Sequence, residues 1–196
     1  PVLSACYLCE KFKIGYLKFN KAKNILFKSS LLKMCKEKKI LIPNIINKKN
    51  MKPSKKLYIL KPSLTHEGKV NTIKTSFNGI SKKIQSVKKN SLDKKVIIQE
   101  YISGYDITVY DFIKNFKIKI LSIFQEENYF DKYGKLSKSF LLNPSSKVNK
   151  SKVEKQSNEI LKKIRINNCP ISISFRVKKN KLYLIEIHTD LCGDNI

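Results

Sequence analysis

A carboxylate and an imidazole near the end of the chain are candidates for binding a metal ion. They belong to the segment LYLIEIHTD, which contains Glu186 and His188. Alternating apolar and polar residues predict a β-strand, and a period of two places Leu182, Leu184, Glu186 and His188 on one face. A carboxylate oxygen and an imidazole nitrogen at a strand end can bind a divalent cation. Taken alone, such a pair is more often a solvated strand end.

A lysine closes an apolar strand in the segment YILKPS, where Lys61 precedes Pro62. A rigid strand would hold its ammonium group at a fixed position, which suits a phosphate and costs free energy otherwise. The alternative is a strand-end lysine whose ammonium group reaches solvent. The following loop contains Gly68, and its backbone N–H groups could cover phosphates.

The segment VIIQEYISGYD predicts a buried strand that leads into a short connector. Backbone N–H and C=O groups of such a connector can pair with the edge of an adenine ring, while apolar side chains sandwich the ring. Asp106, a few residues further on, can accept hydrogen bonds from ribose hydroxyl groups. The alternative is a plain strand and turn.

Hydrophobic periodicity predicts the elements that must position these residues. Helices are predicted at 23–40, 77–89 and 153–164. Strands are predicted at 57–60, 96–99, 106–112, 117–124, 170–177 and 181–188. Residues 125–152 are polar and predict an irregular segment.

Along the chain, the four features are Lys61, the glycine loop after it, VIIQEYISGYD and LYLIEIHTD. In that order they resemble the ATP-grasp superfamily, especially the carboxylate–amine ligases typified by D-alanine–D-alanine ligase. The resemblance covers residues 20–194 and implies an α+β fold, in which two α/β lobes with mainly antiparallel sheets hold ATP between them. It implies three regions. They are the end of a truncated amino-terminal region (1–22), a lobe with the phosphate loop and hinge (23–102), and a lobe with the metal-binding strands (103–196).

The same resemblance implies the roles of individual residues. The ATP phosphates are expected at Lys28, Lys61, Thr65, His66, Glu67, Gly68 and Lys69. The hinge residues expected at the adenine ring are Gln99, Glu100, Tyr101 and Ile102, with Asp106 at the ribose. Catalytic roles are expected for Lys61 and for Arg176, which would face the transferring phosphate.

The metal position departs from the family pattern. Glu186 matches the central magnesium ligand, but Ser174 stands where the family usually has an aspartate, and His188 replaces an asparagine. A hard magnesium ion does not prefer the nitrogen of an imidazole. We therefore expect a Mg²⁺ site at Glu186, Ser174 and His188 that is weaker than usual and tolerates Mn²⁺. Gln99 likewise replaces the acid that the family has at the hinge.

The resemblance implies an ATP-dependent ligase core. Such an enzyme activates a carboxylate substrate as an acyl phosphate, which an amine or thiol then attacks. An ATP-grasp domain that binds nucleotide without catalysis is an alternative, kept open by Ser174. A homodimer is compatible with either function.

The net charge of +26 supports a different alternative, a protein that binds nucleic acid or another polyanion. However, the 41 basic residues include only two arginines, Arg165 and Arg176, and the lysines are spread evenly. The RNP aromatic pair, the GXXG loop and zinc-finger spacing are missing from the sequence. Nucleic acid is therefore the less expected partner.

Cysteine content and apolar runs indicate the compartment. Five cysteines and no signal segment favour reduced thiols in the cytoplasm. Apolar runs are too short for a membrane span. Cys6 and Cys9 predict two buried thiols one helical turn apart, rather than a zinc or redox pair. Because Pro1 opens on what reads as mid-domain sequence, we expect a fragment of a longer protein.

Overall fold

The computed structural model describes residues 2–14, 16–65, 71–142 and 148–190. These residues form two compact units. The first unit comprises Pro1–Ile42, Tyr105–Gln125 and Leu142–Ile196, as far as they are described, and the second comprises Pro43–Gly104 and Glu126–Leu141.

Five helices and eight strands build the described part of the two units. The helices are α1 (Val2–Lys11), α2 (Phe19–Leu26), α3 (Lys28–Glu37), α4 (Ile80–Lys89) and α5 (Lys150–Ile164). The strands are β1 (Leu57–Pro62), β2 (Ile73–Ser76), β3 (Val96–Glu100), β4 (Tyr105–Lys114), β5 (Lys117–Phe130), β6 (Leu136–Leu142), β7 (Cys169–Lys178) and β8 (Lys181–His188). Single 3₁₀ turns lie at Lys48–Asn50 and Phe77–Gly79.

Two sheets organise these strands. One sheet has the strand order β2-β1-β3, and the other has the order β6-β5-β4-β7-β8. Strand β1 is antiparallel to β2 and β3, and β7 is antiparallel to β4 and β8. These arrangements confirm the predicted α+β class with mainly antiparallel sheets. None of the helices that the structure describes has the length and apolar character needed to cross a membrane.

The structure differs from the predicted elements at two places. The helix predicted at 23–40 is divided into α2 and α3 by Phe27, whose extended backbone (φ −76°, ψ 103°) interrupts the helical hydrogen bonds. The irregular segment predicted at 125–152 is wrong, because β5 continues to Phe130 and β6 follows it. Backbone pairing forms this hairpin, and the side chains of a polar segment give no apolar alternation that would reveal it.

The turn that joins β5 to β6 is tied to β2. The Lys74 N–H donates to the Gly134 carbonyl, with 2.6 Å between nitrogen and oxygen. Gly134 has a φ of +78°, and a Cβ atom there would lie 2.0 Å from the Lys74 carbonyl oxygen. Glycine is therefore required at this turn, both by the left-handed conformation and by the close approach of β2.

The compact units also divide the chain differently from the three predicted regions. Helix α3 and the second half of α2, which lie in the predicted region 23–102, belong to the first unit, and residues 126–141 belong to the second. The predicted regions follow the order of the chain. The units follow packing, which brings distant segments together.

The core of the first unit lies against one face of β4, β7 and β8. It includes the apolar face of α5, formed by Val153, Ile160, Leu161 and Ile164. Of the predicted thiol pair on α1, Cys6 is fully buried, as expected, but Cys9 is only half-buried.

The second unit packs α4 against one face of the sheet β2-β1-β3. Leu60, Ile73 and Ile98 share this face and contact Ile80 and Val87 of the helix through one hydrophobic cluster. Because side chains alternate along a strand, the opposite face of the sheet carries a different set of residues.

One carboxylic acid lies on the apolar face of β4. Asp111 shares this face with Ile107, Val109 and Ile113 and is 0% exposed. Neither of its carboxyl oxygens has a hydrogen-bond partner among the described residues. Burial, and secondarily the negative charge of Glu154, raise the pKa of Asp111 to about 7. A buried, unpaired carboxyl group is therefore held in its neutral form over much of the acidic range.

We predict that Asp111 makes the stability of the fold depend on pH. The ordinary pKa of 3.8 applies to the unfolded chain, so between about pH 4 and pH 7 only the folded chain keeps the proton. Asp111 should therefore make the free energy of unfolding fall through this range, by about 1.4 kcal/mol per pH unit at most. Urea unfolding at a series of pH values measures the profile, and Asp111→Asn should remove this decline.

Glu159→Gln is the matched control for this experiment, because Glu159 is an exposed carboxylate on α5. This control should retain the decline seen in the parent protein. Identical profiles for the parent and for Asp111→Asn would contradict the assignment.

Candidate functional site

A β-bulge between β7 and β8 determines which residues of β8 reach the polar face of the larger sheet. Ser174 is opposite Glu186, but the next residue, Phe175, is opposite Leu184, so Ile185 is the additional residue. A one-residue shift moves the following side chains to the other face of a sheet.

This bulge overturns the expectation that Leu182, Leu184, Glu186 and His188 share one face. Leu182 and Leu184 lie in the hydrophobic core, together with Ile187. Glu186 and His188 point to the opposite face, where they lie across from serines of β7. A strict period of two is wrong here because it assumes a regular strand.

The face opposite the core carries polar side chains from three adjacent strands. Its members are Asp106, Thr108 and Tyr110 of β4, Ser172, Ser174 and Arg176 of β7, and Glu186 and His188 of β8. We call this set the polar face. Five of the predicted site residues are brought together on it, namely Asp106, Ser174, Arg176, Glu186 and His188.

A lysine from α3 contacts the carboxylate of this face. Lys28 Nζ lies 3.9 Å from Glu186 Oε2, and the two side chains are 14% and 8% exposed. Lys28 is the first residue of α3, where the positive end of the helix dipole disfavours a cation. Glu186 offsets this unfavourable position, so the ammonium group is held beside the polar face.

His188 is the second cationic group that meets Glu186. His188 Nε2 lies 3.5 Å from Glu186 Oε2. Burial alone lowers the pKa of His188, but the hydrogen bond and negative charge of Glu186 outweigh it and raise the pKa above 6.5. The positive charge of Lys28 lowers the pKa of His188, and the negative charge of Asp190 raises it. Protonation of His188 therefore adds positive charge beside Glu186.

Ser174 is bound to a neighbouring hydroxyl group. Its Oγ atom lies 3.0 Å from Thr108 Oγ1, and the two hydroxyl groups form a buried hydrogen bond. Ser174 lies directly between Thr108 and Glu186 in the strand register. The pair puts neutral oxygens beside Glu186, at the position where the resemblance implies a second carboxylate.

The donor set around Glu186 fits a metal ion only if other oxygens complete it. Among the described residues, no group of three or more His, Cys, Asp or Glu side chains could hold a metal ion. Glu186 supplies one carboxylate. Magnesium is commonly bound by one or two carboxylates together with substrate phosphates, which this set satisfies when a nucleotide supplies the phosphates.

Arg176 forms an ion pair on the polar face. Its guanidinium forms a bidentate ion pair with Asp106, directly opposite on β4. Arg176 Nε donates to Asp106 Oδ1, and Nη2 donates to Oδ2 at 2.8 Å. The residue predicted to face the transferring phosphate is thus joined to the residue predicted to bind ribose.

The second unit has its own candidate surface, on the sheet face that points away from α4. Ile59 lies between Lys74 and Gln99 in the strand register, and Lys61 lies opposite Ile97. Lys61 is only 6% exposed. This surface combines an apolar floor with two ammonium groups and one amide, which are groups that suit a base and its phosphates.

Hydrogen bonds orient the predicted hinge. Gln99 Nε2 donates to the Pro43 carbonyl at 3.3 Å, which leaves the amide oxygen of Gln99 as its acceptor group. The backbone N–H of Glu100 donates to the Asn44 carbonyl, and that of Tyr101 donates to the Leu57 carbonyl. These two N–H groups are already used within the unit.

Lys74 is a residue that the sequence reasoning missed. Its Nζ atom lies 4.5 Å from the centre of the Phe130 ring and 5.3 Å from that of Tyr101. Such cation–π contacts hold an ammonium group in place. The alternation in IKTS, just after the glycine loop, could have identified it. Of the predicted phosphate loop, Thr65 is described, whereas His66, Glu67, Gly68 and Lys69 lie outside the described residues.

One family model matches most of the chain. The ATP-grasp domain family matches residues 40–196. No curated protein matches the chain. The solved structures that resemble it include D-alanine–D-alanine ligase from Bacillus anthracis, with a TM-score of 0.71 and 18% identity over 93% of this chain and 63% of that chain.

Two further structures have similar scores. The L-amino acid ligase from Bacillus licheniformis has a TM-score of 0.73 and 14% identity over 96% of this chain and 46% of that chain. Biotin carboxylase from Campylobacter jejuni, in a complex with β-γ-ATP, has a TM-score of 0.75 and 14% identity over 98% and 47%. These likenesses establish the fold. The chain spans roughly half to two thirds of the length of these three proteins.

We predict opposite pKa changes of His188 in two variants. Glu186→Gln should lower the pKa, because burial persists while the carboxylate charge is lost. Lys28→Met should raise it, because a nearby positive charge is removed. NMR titration of the imidazole protons measures both changes, and a His66→Asn variant assigns the signals because the chain has two histidines.

The raised pKa of His188 also makes the stability of the fold depend on pH. A raised pKa in the folded state means that the His188–Glu186 contact stabilises the fold fully below about pH 6.5, and that this contribution is lost as pH rises through the folded-state pKa. If the two variants shift the pKa of His188 in the same direction, the described cluster is incorrect.

Proposed function

Because the chain belongs to the ATP-grasp family, we propose that it binds ATP with a divalent metal ion and forms the ATP-dependent core of a carboxylate–amine ligase. The observation that carries this proposal is the convergence of Lys28 and His188 on the buried carboxylate of Glu186. A carboxylate that is held among cations can bind a metal ion, while the cations bind the phosphates of the same nucleotide.

In the proposed reaction, a carboxylate oxygen of the substrate attacks the γ-phosphorus of ATP. The bond from phosphorus to the bridging oxygen breaks, and ADP leaves with the electron pair. An amine or thiol then attacks the acyl carbon of the resulting acyl phosphate and expels inorganic phosphate. A magnesium ion bound at Glu186 would neutralise charge on the phosphate oxygens.

The protein's own contribution is positioning and charge neutralisation. Lys28 would bind phosphate oxygens beside Glu186, and Lys61 would bind phosphate on the second unit's surface. The amide oxygen of Gln99, oriented by the Pro43 carbonyl, would accept a hydrogen bond from the adenine amino group. The resemblance implies that main-chain atoms of Glu100 and Ile102 would pair with the adenine ring.

Ser174 favours a second candidate function, a domain that binds nucleotide without catalysing transfer. Its hydroxyl is bonded to Thr108, where the resemblance implies an aspartate. With one carboxylate fewer, the metal ion would be held less firmly on the transferring phosphate. ATP binding without carboxylate-dependent release of ADP, for the parent protein and a panel of amino acids, would favour this second function.

We predict that metal-dependent ATP binding is centred on Glu186. Glu186→Gln should weaken Mg–ATP binding by at least about tenfold, because the one carboxylate of the site is removed. Ser174→Asp should strengthen Mg–ATP binding, because it supplies a second carboxylate opposite Glu186. The parent protein should prefer Mn²⁺ more than Ser174→Asp does, because manganese accepts mixed oxygen and nitrogen ligands.

Isothermal titration with ATP in the presence of each metal ion measures these affinities. Glu159→Gln, which changes an exposed carboxylate on α5, should bind like the parent protein. Equal binding of Mg–ATP by the parent and Glu186→Gln would show that the metal position has been misassigned.

A separate prediction concerns Lys61. Lys61→Met should weaken ATP binding about tenfold or more, because a charged hydrogen bond to phosphate is lost. The unliganded protein should keep its stability or gain some, because a buried ammonium group is replaced by an apolar side chain of similar length. Titration with ATP and thermal unfolding of the same samples provide the two readouts.

Lys55→Met is the matched control, because Lys55 is an exposed lysine that precedes the same strand. It should change neither readout. If Lys61→Met binds ATP as tightly as the parent protein, Lys61 has no role at the phosphate.

A further inference from the structure

We propose that Arg176 is a positioning residue for ribose recognition, which acts through Asp106, and is not a contact of the transferring phosphate. The inference rests on the proposed binding of ATP. It concerns a residue whose guanidinium is engaged by a neighbouring side chain.

The ion pair between Arg176 and Asp106 fixes the orientation of the Asp106 carboxylate. Asp106 and Arg176 are directly opposite each other on adjacent strands, and their side chains are 9% and 14% exposed. Two nitrogens of the guanidinium donate to the two oxygens of the carboxylate. Because both groups are planar, this arrangement fixes the plane of the carboxylate as well as its position.

A fixed carboxylate suits the 2′ hydroxyl group of a ribose. An ionised carboxylate is an acceptor only, and each of its oxygens can accept more than one hydrogen bond. An oxygen whose direction the ion pair has fixed can therefore accept from a hydroxyl group in one defined position. Orientation by Arg176 lowers the entropy cost of that contact.

The charges of the polar face set Arg176 apart from the other cations. The positive charge of Arg176 is compensated by Asp106, so the pair contributes little net charge toward a triphosphate. Lys28 and His188 instead lie at Glu186, where the metal ion and phosphates are proposed. Arg176 lies opposite Tyr183, beyond the bulge, whereas Glu186 lies opposite Ser174. The polar face thus separates an ion pair for the sugar from cations for the phosphates.

The test compares the affinities for ATP and 2′-deoxy-ATP in the parent protein, Asp106→Asn, Arg176→Met and the double variant. The parent protein should favour ATP by about tenfold, the effect of a hydrogen bond to a charged group. Each single variant should bring this ratio close to one, and the double variant should bring no further change, since both residues serve one contact. Lys28→Met should weaken both nucleotides and keep the ratio.

Arg176→Lys is the second variant, because Arg176→Met leaves a buried carboxylate unpaired and can destabilise the fold. Lysine keeps the charge but cannot form the bidentate pair, so the ratio should again fall while the fold is retained. A retained ratio in Arg176→Lys and Arg176→Met would overturn the inference, as would a parent protein that binds ATP and 2′-deoxy-ATP equally. A parent protein that binds neither nucleotide overturns the proposed function itself.

Discussion

The register shift between β7 and β8 is the constraint on which the candidate site depends. One additional residue, Ile185, lets the same strand place leucines in the core at one end and Glu186 and His188 on the polar face at the other. Without this bulge, a strand that buries Leu184 would also bury Glu186 among apolar side chains, where an unpaired carboxylate is costly. Hydrophobic packing therefore fixes the position of Glu186.

Two sets of charged side chains at the polar face differ in net charge. Lys28 and His188 both approach Glu186, so the cluster carries an excess of positive charge when His188 is protonated, which an anionic ligand can neutralise. Arg176 and Asp106 instead neutralise each other. This division puts an excess of positive charge at one end of the polar face and an oriented hydrogen-bond acceptor at the other. Both follow from cross-strand register on a rigid sheet, which is a more precise scaffold than a loop.

Much of the fold was predictable because apolar periodicity reports directly on packing. The strands that contain Leu60 and Ile173 and the helix that contains Ile160 were predicted at the correct places. The second half of β5 was missed because backbone pairing forms it. Glu186 and Lys28 were selected only through the order of motifs, and their roles remain predictions. Strand register decides which residues lie opposite each other, and the sequence pattern does not contain it. The bulge, the Arg176–Asp106 pair and the contacts of Lys74 depend on this register.

The location of a bound metal ion tests the central claim most directly. Crystals grown with Mn²⁺ and a non-hydrolysable ATP analogue would reveal the manganese by its anomalous scattering. The account predicts a manganese ion bound by the Glu186 carboxylate and by phosphate oxygens of the nucleotide, with Lys28 at the same phosphates. A nucleotide bound with its metal ion away from Glu186 would contradict it.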